Sequence, residues 1–281
     1  MKKGILIILF LTAAGLLYSQ PAVKFALSAD KVKIAYIDEG KGETAILFVH
    51  GWCCDKSYWK EQISHFAKNY RVAALDLGGH GESGKNRKDF TIASFAQDVK
   101  AVIEKLKLKK VILVGHSMGG YVIAQTAAIL PEKVIMIVGA DTFQNMADIL
   151  TPEQAEGYLK PFKEDFKTTT VGFVKTMFPK TADQKLVDKI AEQMSNGYAP
   201  MGISAMKDML YMDGRALEGK IKCPFKSINS DLFPTETEIN RKYYPSFEVK
   251  LMKGYGHFVQ IENAPMFNSL LEECIAGLKK K

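Results

Sequence analysis

The sequence predicts an α/β fold: a mostly parallel central sheet with helices on both faces and a helical cap inserted into it. Three observations carry this. Short, near-continuous apolar runs recur along the chain, as strands buried on both faces of a sheet require. Amphipathic segments of helical period separate them. The alternation then breaks between Thr142 and Leu217, where helical patterns follow one another with no strand between.

Taken in order, "AVKFALSADKVKIAYIDEG" alternates apolar and polar residues and predicts an antiparallel pair turning near Ala29 and Asp30. The buried-strand runs are "AILFVH" (45–50), "RVAALDL" (71–77), "VILVG" (111–115), "VIMIVG" (134–139), "FKSIN" (225–229) and "FEVKLM" (247–252). Segment 91–106 places Ile92, Phe95, Val99, Val102, Ile103 and Leu106 on one helical face. Segments 118–130 and 265–278 are two further helices. The core is therefore expected over 20–141 and 218–281, with the cap over 142–217. The cap is too long for a loop and too helical for a linker. Its Met177, Phe178, Met194, Met201, Met206, Met209 and Met212 either line an apolar pocket or pack the cap helices together; Met as a gap-filler favours packing for most of them.

The chain has 281 residues, 47% hydrophobic and 25% charged, which suits one large domain or a domain with an insertion. It begins "MKKGILIILFLTAAGLLYSQPA": two lysines, a short apolar stretch, then a small residue. That layout predicts a signal peptide over 1–19, cleaved after Ser19, and a periplasmic or secreted protein. An uncleaved membrane anchor is the rival, although the stretch is short for a spanning helix. Of the net charge of +7, two lysines lie in the leader and three end the chain. The remaining charge is interspersed with acidic residues, which predicts a solvated surface with no nucleic-acid partner and no membrane contact after cleavage. Cys53, Cys54, Cys223 and Cys274 are too few for a disulfide scaffold, and no histidine joins them at zinc-ligand spacing. Packed thiols are expected.

The chemistry centres on "VILVGHSMGG" (111–120). A strand that ends at Ser117 and turns at once into a helix makes a corner so tight that residues two before and two after the serine nearly touch. Gly115 and Gly119 remove the side chains that would collide there. The pattern G-x-S-x-G, set between an apolar strand and a helix, is a nucleophile elbow that lifts the hydroxyl clear of the sheet edge. Gly120 would let the helix pack closely on the sheet. The new helix aims its unpaired amides at the site, so the Met118 N–H is a donor for a developing oxyanion.

A serine hydroxyl needs a base. Of His50, His65, His80, His116 and His257, the last lies in "GYGHFVQIENAP", between the final strand and the final helix, on a loop that can reach Ser117. His116 should point away from the hydroxyl, His65 should lie on the surface, and His50 should be a structural hydrogen-bonder. The base needs a carboxylate partner. Asp231 and Asp141 both follow apolar strands; the chain order Ser, Asp, His favours Asp231, with Asp141 the alternative or a turn cap. "LFVHGWCCDKSYW" supplies a second oxyanion donor: Gly51 lets the backbone turn inward and the Trp52 N–H faces the site. Trp52, Tyr58, Met177 and Phe178 are the candidate pocket walls.

These residues resemble the α/β-hydrolase superfamily, in the serine-nucleophile branch with a helical cap that holds small esterases and haloperoxidase-like proteins. The likeness runs from about Val23 to Lys279. "HGW" is similar to its oxyanion loop, "DLGGHGESG" to the loop after the next strand, "GHSMGG" to the elbow, "INSDLFPT" to the acid loop and "GYGHF" to the histidine loop. The resemblance implies a triad of Ser117, Asp231 and His257, a structural role for His80, and no metal or organic cofactor. It also implies a small-molecule ester, lactone or related acyl substrate. A carbon–carbon hydrolase, an amidase and a ligand-binding sensor that retains the triad share the pattern, and the fold does not choose among them. Serine at the elbow, where dehalogenases and epoxide hydrolases of this fold carry Asp, argues against both. Oligomeric state is not legible in the sequence.

Overall fold

A computed structural model describes residues 22–280. The expected leader, 1–19, lies outside the described residues. The chain runs β1 (Lys24–Leu27), β2 (Lys33–Glu39), β3 (Thr44–Val49), α1 (Lys60–Phe66), β4 (Arg71–Leu75), α2 (Ile92–Lys105), β5 (Lys110–His116), α3 (Met118–Ile129) and β6 (Val134–Ala140). It continues through α4 (Pro152–Glu164), α5 (Phe166–Lys175), α6 (Gln184–Ser195) and α7 (Ala199–Leu210), then β7 (Phe225–Ser230), α8 (Thr237–Tyr243), β8 (Glu248–Met252), α9 (Val259–Glu262) and α10 (Ala264–Ala276).

Among the described residues the strands form one sheet in the order β1-β2-β4-β3-β5-β6-β7-β8. The first two are antiparallel and turn where alternation predicts, with Lys31 in left-handed backbone (φ 67°). Every pairing from β4 through β3, β5, β6 and β7 to β8 is parallel. Because side chains alternate along a strand, one strand feeds two cores. On β3, Leu47 and Val49 join one apolar cluster while Ile46 and Phe48 join the other. On β5, Val111 and Leu113 divide from Ile112 and Val114 in the same way. Helices α2 and α3 cover the first face, α1 and α10 the second. Each such side chain, fully withdrawn from water, contributes roughly 1.5–3 kcal/mol, which explains why these runs lack polar residues.

The strand-free stretch holds α4 to α7, inserted between β6 and β7. Helix α4 begins on a capping box, Thr151 with Gln154, and α6 on an Asp183 cap. Helices α5 and α6 pair with each other, as do α4 and α7. Among the described residues no helix is long and apolar enough to cross a membrane. Cys53, Cys54 and Cys274 are buried free thiols and Cys223 a partly buried one, the packed state expected of them.

Candidate active site

Parallel register brings the C-terminal ends of β3, β5 and β6 together. Val49 lies opposite Gly115, and His116 opposite Ala140. Ser117 and Asp141 each follow directly, and the Ser117 N–H donates to the Ala140 carbonyl at 3.1 Å. Ser117 has φ 53° and ψ −120°, a conformation that costs a non-glycine residue about 1–3 kcal/mol. The neighbouring glycines make it possible. A methyl on Gly115 would lie 2.3 Å from the Gly119 carbonyl oxygen, and one on Gly119 would lie 2.5 Å from that of His50. A methyl on Gly120 would strike the Thr142 side chain at 2.4 Å, the close approach expected there.

Since backbone, not a movable side chain, blocks the added methyl, Gly115→Ala is expected to destabilise the fold by about 3 kcal/mol or more. Gly172→Ala, in the open interior of α5 where a methyl meets nothing within 4 Å, is expected to stabilise it by roughly 0.5–1 kcal/mol. Urea unfolding midpoints measure both.

The histidine loop is held from all sides. His257 Nδ1 lies 2.6 Å from Asp141 Oδ2. A carboxylate only accepts, so Nδ1 carries the proton and Nε2 is free to act as a base. The His257 N–H donates to the Met177 carbonyl at 2.8 Å. Its own carbonyl accepts from His116 Nε2 at 2.9 Å. Asp141 is fully buried, and its other carboxylate oxygen accepts the Ser230 N–H at 2.7 Å.

The expected partnership of His257 with Asp231 is therefore corrected. Asp231 is exposed and accepts the Gly254 N–H at 2.8 Å, closing the turn after β8. The turn-capping role considered for Asp141 belongs to Asp231. The physical reason is strand order: Asp141 ends β6, which neighbours the serine's strand β5, whereas Asp231 ends β7, one strand further out.

Gly51 brings the second loop against the elbow. A methyl there would lie 2.9 Å from His116 Nδ1 and 3.2 Å from Ser117 Cβ. Trp52 and Met118, the expected oxyanion donors, flank Ser117, with Met118 opening α3. The Trp52 indole N–H donates to the Gly202 carbonyl of α7 at 2.7 Å, and its ring meets Phe162 of α4 and Phe173 of α5 edge-on. The loop after β3 is thus tied to the cap. Backbone outliers gather here, with positive φ at Cys53, Ser117, Asp141 and Phe143.

Ser117 and His257 line one small cavity, about 30 Å³, with Trp52, Cys54, His116, Phe173, Met177, Met194, Met206, Met209 and Phe258. Four cap methionines face it, more than gap-filling alone predicts. Met201 instead packs on Gly79, and Met212 against the core. Met177 and Trp52 line the cavity as expected. Tyr58 and Phe178 stand behind it, both against Phe258, which occupies the wall in their place. A larger cavity of about 630 Å³, bordered by Val23, Ile37, Lys56 and Ile63, holds none of the Ser117, Asp141 and His257 side chains. Size does not mark the site; chemistry does.

Burial sets the state of His50, His80 and His116. It holds His116 well below the usual histidine range, with the neighbouring His257 adding to the effect, and does the same to His80 beside His50. His50 is lowered by burial too; its Nδ1–H donates to Gly51 O and its Nε2 accepts the Leu77 N–H, so it is a neutral structural brace. His116 is among the residues that line the cavity, and its ring packs on His257 with centroids 4.7 Å apart. Burial also pushes the Cys54 thiol up, so it faces the cavity uncharged.

One residue escaped the sequence reading. Glu262 accepts the Gly256 N–H at 2.9 Å with one carboxylate oxygen and the Phe258 N–H at 3.0 Å with the other, bracketing His257. The signal was its spacing: a carboxylate four residues past Phe258 can reach back around a short helix.

The profile of the family described as "alpha/beta hydrolase fold" matches residues 44–209. Among curated proteins, the dihydrolipoyllysine-residue acetyltransferase component of the acetoin cleaving system of Cupriavidus necator is 26% identical over 265 residues, 91% of this chain and 70% of that protein. Karrikin insensitive 2 receptor B of Petunia hybrida is 25% identical over 203 residues, 69% of this chain and 74% of that one. Among solved structures, a thermophilic esterase from Thermogutta terrifontis superposes with a TM-score of 0.80 at 20% identity, over 92% of this chain and 99% of the other. With more than half of its length matched by the family profile and the sheet, elbow and histidine loop in place, the chain belongs to the α/β-hydrolase fold family.

Proposed function

We propose that the protein is a serine hydrolase that cleaves a small carboxylic ester, lactone or related acyl bond through an acyl-enzyme. The observation that carries this is the meeting, at one apolar cavity, of a serine in strained elbow geometry and an imidazole fixed by a buried carboxylate. Ser117 Oγ attacks the carbonyl carbon while His257 Nε2 takes its proton. Asp141 keeps the imidazole in the required tautomer and stabilises its charged form. The Trp52 and Met118 N–H groups hold the oxyanion. Collapse of the tetrahedral intermediate expels the alkoxide, which leaves as alcohol with the proton from His257. Water, deprotonated by His257, then attacks the acyl-enzyme and frees the acid and Ser117. The lining carries no carboxylate, lysine or arginine, which suits a short uncharged acyl group. A cavity this small admits one only with rotation of its methionines or movement of the cap. We also propose export, on the strength of the leader's layout.

The test is a panel of p-nitrophenyl esters. Turnover is expected with acetate and butyrate, falling at least tenfold by octanoate and for an acyl chain bearing a carboxylate. A flat profile across the panel would refute a short, uncharged acyl site. The likeness to the petunia receptor supports one second reading, a sensor that reacts once and releases product slowly. Stoichiometric capture of a fluorophosphonate with no turnover on any ester would favour it.

A further inference from the structure

Glu262 lies outside the acyl-transfer steps, yet its carboxylate is committed wholly to the backbone of the histidine loop. One oxygen receives the N–H before His257 and the other the N–H after it. The residue's surroundings leave the loop little choice. A methyl on Gly256 would lie 2.6 Å from the Met177 carbonyl oxygen and 3.0 Å from Glu262 Oε1, so the chain passes between the cap and this carboxylate with no room for a side chain. His257's own N–H and carbonyl are taken by Met177 and by His116. Of these ties, Glu262 supplies the two flanking ones, and it is the one that carries a formal charge. Exposed ion pairs generally contribute little, whereas a half-buried carboxylate that accepts two backbone amides makes charge-assisted hydrogen bonds.

We propose that Glu262 is a positioning residue for His257, fixing the backbone on both sides of the imidazole and adding a negative charge that favours its protonated form. The role rests on the serine-hydrolase reading. The charged and titratable groups around the ring are Asp141 on its Nδ1 side, the neutral His116 packed against its face, and Glu262 beneath the loop. Asp141 holds one atom of the ring; Glu262 holds the segment that carries the ring. A loop displaced by an ångström at this point costs on the order of 10²-fold in rate.

Two variants separate geometry from charge. Glu262→Gln keeps the shape, but its amide nitrogen faces one of the two N–H donors and the charge is gone. It is expected to lower kcat for the p-nitrophenyl ester about 10- to 100-fold with KM near wild type. Without the nearby anion the imidazolium is less favoured, so His257 stays deprotonated to lower pH. The acid limb of the kcat/KM profile should therefore move down by about half a pH unit. Glu262→Asp keeps the charge but is one methylene short and holds one amide; its kcat should fall with the acid limb unmoved. Should Glu262→Gln not fold, as judged by circular dichroism, Glu262→Asp alone decides through its kcat. Wild-type kcat in the folded variants overturns the proposal. Wild-type turnover that survives Ser117→Ala strikes the serine-hydrolase reading instead, whereas turnover lost in Ser117→Ala yet untouched in both Glu262 variants strikes only this role.

Discussion

Ser117→Ala is expected to lower kcat for p-nitrophenyl butyrate roughly 10⁴- to 10⁶-fold while leaving the unfolding free energy, read from urea titration, within about 0.5 kcal/mol of wild type. The size of the effect follows from what remains. The proposed oxyanion donors at Trp52 and Met118 are backbone groups and survive the change, and so does the Asp141–His257 pair. On the proposed mechanism the covalent step itself disappears, so only a slow, uncatalysed-like attack by water persists. The small effect on stability follows from the elbow. Alanine has the same Cβ as serine and meets the same backbone demand at φ 53°. The room it needs is already cleared by Gly115 and Gly119. Rate measurement alone leaves open a contaminating esterase in the wild-type sample; loss of fluorophosphonate labelling in the same variant closes that gap. Turnover at wild-type rate in the folded variant would remove the serine from the mechanism.

The fold was legible because its signals are local and repeated. Strands buried on both faces, such as "VILV", admit almost nothing polar, and the elbow glycines answer to a collision measured in tenths of an ångström. Ser117 and His257 were legible for the same reason: each sits at a junction whose residue types have few other uses. The acid was not. Asp141 and Asp231 both end apolar strands and both lie between Ser117 and His257 in the chain, so the order Ser, Asp, His, on which Asp231 was favoured, fits either one. Their difference is spatial, since strand order in the sheet decides which end lies beside the serine's. Cavity walls were equally hidden. Phe258 lies beside the histidine in sequence, yet nothing local says that its ring displaces Tyr58 and Phe178 from the lining. Pairings that arise when cap meets core, such as the Trp52 indole on the Gly202 carbonyl, span 150 residues and leave no periodic trace.

That ambiguity makes the two aspartates the sharpest comparison available. Asp141→Asn is expected to reduce kcat about 10³- to 10⁴-fold, and Asp231→Asn to leave it within about twofold. Asparagine at 141 presents either an amide oxygen or an amide nitrogen to His257 Nδ1. The oxygen accepts the proton but brings no charge to stabilise the imidazolium. The nitrogen donates, and drives the ring into the tautomer whose Nε2 already carries a proton and cannot take one from Ser117. Since the side chain is fully buried and its other oxygen receives the Ser230 N–H, the oxygen that faces Ser230 is held there, which leaves the amide nitrogen facing the histidine. The harmful orientation is thus the favoured one. At 231 the same substitution keeps an oxygen for the Gly254 N–H in an exposed turn, where water satisfies whatever the amide does not. Both rates are read on one ester at one pH above neutrality, with circular dichroism to confirm folding. The reverse ranking would mean that the histidine loop leaves Asp141 during turnover and reaches across to the end of β7, a rearrangement that would also have to break the bonds from His257 to Met177 and His116.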